Sequence, residues 1–193
     1  MIVNLFLSAF VPRISRWNLT RHIQVYQEPP HGIYARVRVF NGGFWTMGQA
    51  IGYLSLEITP DDVIAPPAGN DAFIKPETFI PLAEDQLCWS VRAPGKNPIK
   101  VDIFAKEKQP LALCAIDGDI IMIPSEEGWA PAENRPRVAR VFLRRRAYFG
   151  CLKIVSADTN AKYFQIEIHP ENTEMPLVIR QFRLWEKKKR GLV

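Results

Sequence analysis

Residues 33–58 constrain the fold of this chain more than any other stretch. Ala35, Val37 and Val39 alternate with Tyr34, Arg36 and Arg38. After Asn41-Gly42-Gly43 and a short loop, Ala50, Leu54, Leu56 and Ile58 share one face, with Gly52 between them. Successive side chains of a strand point to opposite faces, so a period of two marks a half-buried antiparallel strand. The unit reads as an opening strand pair joined by a hairpin device, with Gly42 and Gly43 supplying the backbone freedom of the turn. It sets a fold class and points to no chemistry.

The pattern recurs along the chain. Residues 21–26 read as a short first strand, ended by Glu28-Pro29-Pro30, and residues 87–91 resume the strand pattern. Ile99, Val101 and Ile103 form one apolar face opposite Lys100 and Asp102. Residues 111–116 and 120–123 flank Asp117-Gly118-Asp119, a hairpin signal. Residues 138–143, 150–157 and 177–184 are strand-like; residues 156–160 supply a turn, and Phe164, Ile166 and Ile168 alternate with Gln165 and Glu167. About nine or ten short strands without a long amphipathic helix predict an all-β, antiparallel β-sandwich. The 16 prolines suit short strands punctuated by turns better than helices. Two irregular segments interrupt the strands: residues 59–84, rich in proline and acid, and residues 124–136, which hold Ser125 and Trp129. Loops this long are usually functional or wrapped over a core edge.

At 193 residues there is enough chain for one well-cored domain, placed at residues 21–184 between an apolar N-terminal segment (1–20) and a basic tail (185–193). The apolar run at residues 1–11 is closed by Pro12-Arg13, well short of the roughly 20 residues that span a bilayer. No basic residue precedes Arg13, as a signal peptide would require. Burial against the sandwich is the expectation for this run, with an interfacial anchor or the remnant of a membrane segment as alternatives. A cytoplasmic or membrane-peripheral location follows from that reading.

Charge is concentrated. The net charge is +5, and Arg144, Arg145, Arg146, Lys187, Lys188, Lys189 and Arg190 are seven of the 25 basic residues. The remainder is balanced, at 18 basic against 20 acidic. Any affinity for nucleic acid or an anionic membrane surface is therefore expected from these two patches. Unpaired arginines facing a core are costly, so the Arg144–Arg146 run belongs in a loop, bulge or edge. Tyr148 and Phe149 lie near enough to support base stacking, although alternation does not put them on the face of the arginines.

Catalytic and metal motifs are missing from the sequence. His22, His31 and His169 are far apart, and the three cysteines Cys88, Cys114 and Cys151 have no zinc spacing. Each cysteine sits in an apolar setting that reads as a buried thiol, and the odd count argues against a disulfide framework, with one disulfide plus one free thiol as the alternative. Ser125 lacks the flanking glycines of a nucleophile elbow, and Ser-Glu-Glu reads as a cap. Asp102, Asp117 and Asp119 fall short of a calcium set, and no phosphate-binding glycine loop is present. No cofactor or metal is expected. Aromatics are more informative: Phe44, Trp45 and Trp129 lie on expected loops, where they either anchor a partner or cap the open ends of the sandwich. Trp89, beside Cys88, reads as core.

Taken in order, Arg36-Val37-Arg38-Val39-Phe40-Asn41-Gly42-Gly43, Leu54-Ser55-Leu56, Leu87-Cys88-Trp89, Ile99-Lys100-Val101-Asp102-Ile103, Leu111-Ala112-Leu113, Ile123-Pro124-Ser125-Glu126-Glu127-Gly128-Trp129 and Tyr148-Phe149-Gly150 resemble a family of prokaryotic, chiefly archaeal, immunoglobulin-like β-sandwich proteins. Around Asn41-Gly42-Gly43 the chain is also similar to cell-adhesion-type immunoglobulin-like modules. The resemblance covers roughly residues 21–170 and implies a fold and a non-catalytic role rather than an activity. Cys88 and Trp89 are adjacent, so the inter-sheet disulfide of antibody domains is absent. The expected function is a non-enzymatic module binding a protein partner or acting beside a membrane. The alternatives are a basic-patch binder of nucleic acid and an enzyme with an unrecognised site around Ser125 and Asp117.

Overall fold

The computed structural model describes residues 22–65, 71–72, 85–87, 89–90, 99–124, 129–130, 135–136 and 138–182. Residues 1–11, Cys88, Ser125, Lys187, Lys188, Lys189 and Arg190 lie outside the described residues, as does the side chain of Trp129.

The described residues hold fourteen strands, more than the nine or ten expected, because four are two-residue pairings too short to leave an alternation. They are β1 (Ile23–Gln27), β2 (Tyr34–Asn41), β3 (Met47–Leu56), β4 (Asp71–Ala72), β5 (Asp85–Gln86), β6 (Val101–Ile103), β7 (Lys108–Asp117), β8 (Ile120–Pro124), β9 (Trp129–Ala130), β10 (Arg135–Pro136), β11 (Val138–Arg144), β12 (Tyr148–Ser156), β13 (Thr159–Ile168) and β14 (Leu177–Gln181). A 3-10 turn lies at Pro60–Asp62. One sheet runs β1-β2-β7-β8-β11-β4 and the other β14-β13-β12-β3-β5, with β6 also on β3. Pairing is antiparallel except where β4 meets β11. β9 and β10 pair with each other as a separate ribbon.

The two sheets pack face to face as a β-sandwich. Their inner faces supply one continuous core: Val37, Val39, Leu111, Leu113, Ile121, Ile123 and Leu143 from the first, and Leu54, Leu152, Ile154, Phe164, Ile166 and Ile168 from the second. The alternation of β13 and β12 translates directly into burial. Two bulges explain where it breaks. A register shift between Met47 and Ala50 puts both residues on the core face despite their spacing of three. Another at Ala35/Arg36 lets the consecutive Leu113 and Cys114 of β7 both join the core.

The Asn-Gly-Gly unit is corrected by the topology. β2 pairs with β1 and β7, whereas β3 pairs with β12, so Asn41-Gly42-Gly43 carries the chain from one sheet to the other and closes no hairpin. Turn chemistry is the same in either case; only the inter-sheet core decides. The Asp117-Gly118-Asp119 hairpin is present between β7 and β8, with Gly118 at φ +56°. The described residues of the 87–91 segment, Leu87, Trp89 and Ser90, are not joined to a single sheet. Leu87 N–H bonds the Gly52 carbonyl of β3, while Ser90 N–H bonds the Pro110 carbonyl of β7, so this segment ties both sheets. Trp89 sits within it, fully buried as expected, and its indole N–H donates to the Ala50 carbonyl at 3.0 Å.

Described parts of the proline-rich segment wrap an edge. Ile64 N–H bonds the Phe142 carbonyl of β11, and β4 extends that edge. There Ile64 joins Tyr34, Ala115, Met122 and Phe142 in a second cluster apart from the main core. Between β13 and β1, the buried Lys162 donates its ammonium to the Ile23 carbonyl.

Candidate functional site

The arginine run forms the bend from β11 to β12, and each guanidinium has an internal partner. Arg144 Nε donates to the Asp61 carbonyl at 2.8 Å. Arg145 donates from Nη1 to the Gly118 carbonyl at 2.6 Å and from Nη2 to the Pro170 carbonyl at 2.8 Å. Arg146 grips Asp62 bidentately, Nε and Nη2 each 2.5 Å from a carboxylate oxygen. Asp62 is buried at the end of the 3-10 turn and also accepts from the Thr59 N–H and hydroxyl, at 2.7 and 2.8 Å. The bonded guanidinium holds its carboxyl far below the ordinary carboxylate range, with Thr59 adding to the effect and burial opposing it.

Tyr148 belongs to this bend and not to a stacking platform. Its ring is 1% exposed, its hydroxyl donates to the Arg144 carbonyl at 2.8 Å, and Arg146 lies 4.3 Å above its centroid. Burial first, then the Asp62 charge, pushes its phenol up to about 12. Phe149, next along β12, is 46% exposed on the opposite face.

At the other end of β2 the geometry differs. Asn41 is fully buried and organises two loops. Its Oδ1 accepts from Gly43 N–H at 3.0 Å; its Nδ2 donates to the Trp45 carbonyl at 2.7 Å and to the Ile103 carbonyl at 2.9 Å. Its backbone carbonyl accepts from Lys106 N–H. The 42–46 loop and the 104–107 turn are thereby joined. Phe44, Trp45 and Phe104 on these loops are 73%, 55% and 61% exposed, the most exposed large apolar side chains among the described residues. Lys106, at φ +63°, donates to the Gly42 carbonyl and stands 4.6 Å over the Phe44 ring. Lys108 continues the surface, 5.0 Å from the Tyr26 centroid.

Phe44 and Trp45 therefore project outward and do not fold back as caps. Trp129 lies on β9, and its relation to Phe44 and Trp45 lies outside the described residues. Phe104, Lys106 and the pinning role of Asn41 escaped sequence reading. Phe104 carried one usable signal, a phenylalanine one residue past the alternating 99–103 face and directly before a charged turn.

Of the carboxylates weighed in sequence, Asp102 is engaged by the backbone of β3, as is Asp158, which the sequence did not single out. Asp102 accepts Gln49 N–H at 2.8 Å and Asp158 accepts Gly48 N–H at 2.9 Å, satisfying the bulge of β3, where Gln49 takes φ +49°. Among the described residues no three His, Cys, Asp or Glu side chains gather to hold a metal. His169 faces Glu167 at 3.2 Å. Cys114 is a buried free thiol, whereas Cys151 is only partly buried, since its side of β12 faces away from the core. Against known protein families, characterised proteins and solved structures, no match to the chain is found.

Proposed function

We propose that this chain is a non-catalytic interaction module, an immunoglobulin-like sandwich that docks a protein partner through Phe44, Trp45 and Phe104. The observation that carries the reading is the pairing of high exposure with a fixed backbone. Three aromatic side chains stand in water on loops pinned by one buried asparagine. Exposed aromatics are the usual binding anchors, and pinned loops reduce the ordering cost of association. Support for the immunoglobulin-like arrangement comes from the crossing of β2 to β3 between sheets and the β3-β12-β13 neighbourhood. The Tyr148 hydroxyl bond to the carbonyl four residues upstream adds to it, because a tyrosine corner has this form.

The alternative of phosphate contact by Arg144, Arg145 and Arg146 acting together has less support, because Arg146 is paired with Asp62 while Arg144 and Arg145 are each tied to separate backbone carbonyls. Affinity capture from the native host, with Phe44→Ala, Trp45→Ala and Phe104→Ala as controls, tests the docking reading. Each variant is expected to melt within about 2 °C of the parent, since surface truncations cost little. Recovery of a partner is expected to fall at least about fivefold in each, the scale of a lost anchor worth 1 kcal/mol or more. Unchanged recovery in all three would refute the reading.

A further inference from the structure

At the end of β2 opposite the aromatic loops, a cleft of about 160 Å³ opens beside Arg145. Pro30, Ile33, Pro170 and Pro176 make an apolar side, while Arg145, Asn172 and Thr173 contribute polar atoms; among the described residues no acidic one lines it. We propose that this cleft binds a carboxylate carried on a short aliphatic group.

The guanidinium is preorganised, and among the described residues its charge has no counter-ion. Both of its side-chain bonds run to neutral carbonyls, those of Gly118 and Pro170, and its own N–H is tied to the Asp119 carbonyl at 3.1 Å. Among the described residues no carboxylate pairs with it, whereas Arg146 next to it holds one bidentately. Two of its five N–H donors are used, which leaves three for a ligand. A partly buried charge without a counter-ion is unfavourable, so an anion entering the cleft gains more there than at an exposed arginine.

The neighbouring polar groups are donors too. The Asn172 Oδ1 accepts Met175 N–H at 3.0 Å, which leaves the amide NH2 as the end available to a ligand. With the Thr173 hydroxyl, the polar side offers hydrogens to an acceptor. One positive charge and neutral donors match a singly charged carboxylate better than a doubly charged phosphate. The proline and isoleucine walls accept an aliphatic body. Such a ligand is either the C-terminal residue of a peptide or a free small acid, and the two share this chemistry.

The test is a titration of the full chain followed by backbone amide NMR. The probes are Gly-Gly-Leu as the free acid, the same tripeptide as its C-terminal amide, and isovalerate. Saturable shifts at Gly32, Ile33 and Thr173 are expected with the acids, and binding of the amide is expected to be at least about tenfold weaker. Tighter binding of the tripeptide acid than of isovalerate identifies a peptide terminus as the source; equal binding identifies a small acid. Arg145→Lys, which keeps the charge and loses the fork, should weaken binding about tenfold. Asn172→Ala and Thr173→Ala, at positions on the protein surface, should weaken it about threefold each without loss of fold. Equal shifts with acid and amide would overturn the proposal. So would the lack of a saturable shift at the cleft up to about 50 mM acid, where even a millimolar site is filled.

Discussion

Arg146 and Asp62 are 84 residues apart in the chain and 2.5 Å apart in space. The pair fastens the 3-10 turn after β3 to the bend before β12, and Tyr148 stacks beneath it. Asp62 is buried, so Asp62→Asn, which weakens a charge-assisted fork, should cost about 2 kcal/mol at neutral pH. The pH dependence has a definite sign. The carboxyl titrates lower in the folded protein than its ordinary value of 3.8, so on acidification the unfolded chain takes up the proton first. The stabilisation is complete above about pH 5 and is lost as pH falls through the acid range toward the folded value. Denaturant melts of the parent and of Asp62→Asn should differ at pH 7 and converge toward pH 2. A difference independent of pH would contradict the assignment. None of this was readable locally: an arginine triplet has the same composition whether its partners are solvent, phosphate or a carboxylate 84 residues away.

Individual strands were legible because burial on one face imposes a period of two, as in β12 and β13. The assignment of strands to sheets was not. Asn41-Gly42-Gly43 meets the requirements of a turn equally well in a hairpin or between sheets, and only the tertiary core places β3 beside β12. Bulges were hidden for a related reason, since one extra residue shifts the face without changing composition. Gly52 shows the inter-sheet spacing acting on one position. A Cβ there would lie 2.5 Å from Leu111 Cδ2 across the core. Gly52→Ala should therefore destabilise by about 1–3 kcal/mol, as overpacking does. Leu111→Val in the same chain should recover part of that loss, because it withdraws the clashing methyl. A double-mutant cycle by denaturant unfolding measures the coupling, and strict additivity would show that the two sheets do not meet there.

Across the whole molecule, β2 separates two kinds of end. One carries exposed aromatics with Lys106; the other carries the arginine bend and the Arg145 cleft. The core between them should open as a unit, and Cys114 reports on it. This thiol is fully buried on β7, and desolvation pushes it up to about 12. Its labelling by a thiol reagent should track global unfolding across a denaturant series, while the partly exposed Cys151 labels earlier. Labelling of Cys114 under native conditions at the rate of Cys151 would contradict a closed sandwich. The aromatic end was half legible: Phe44 and Trp45 were visible as loop aromatics, but Phe104 is brought to them by the tertiary bonds of Asn41 and Lys106.

Site-specific photo-crosslinking in the native host tests the docking end most directly. A photoreactive phenylalanine analogue at Phe44 or at Phe104 should capture the same discrete protein. The analogue at Phe149, exposed on the outer face of β12, should capture none. Identical products from all three positions, or none from Phe44 and Phe104, would contradict the aromatic end as the docking surface.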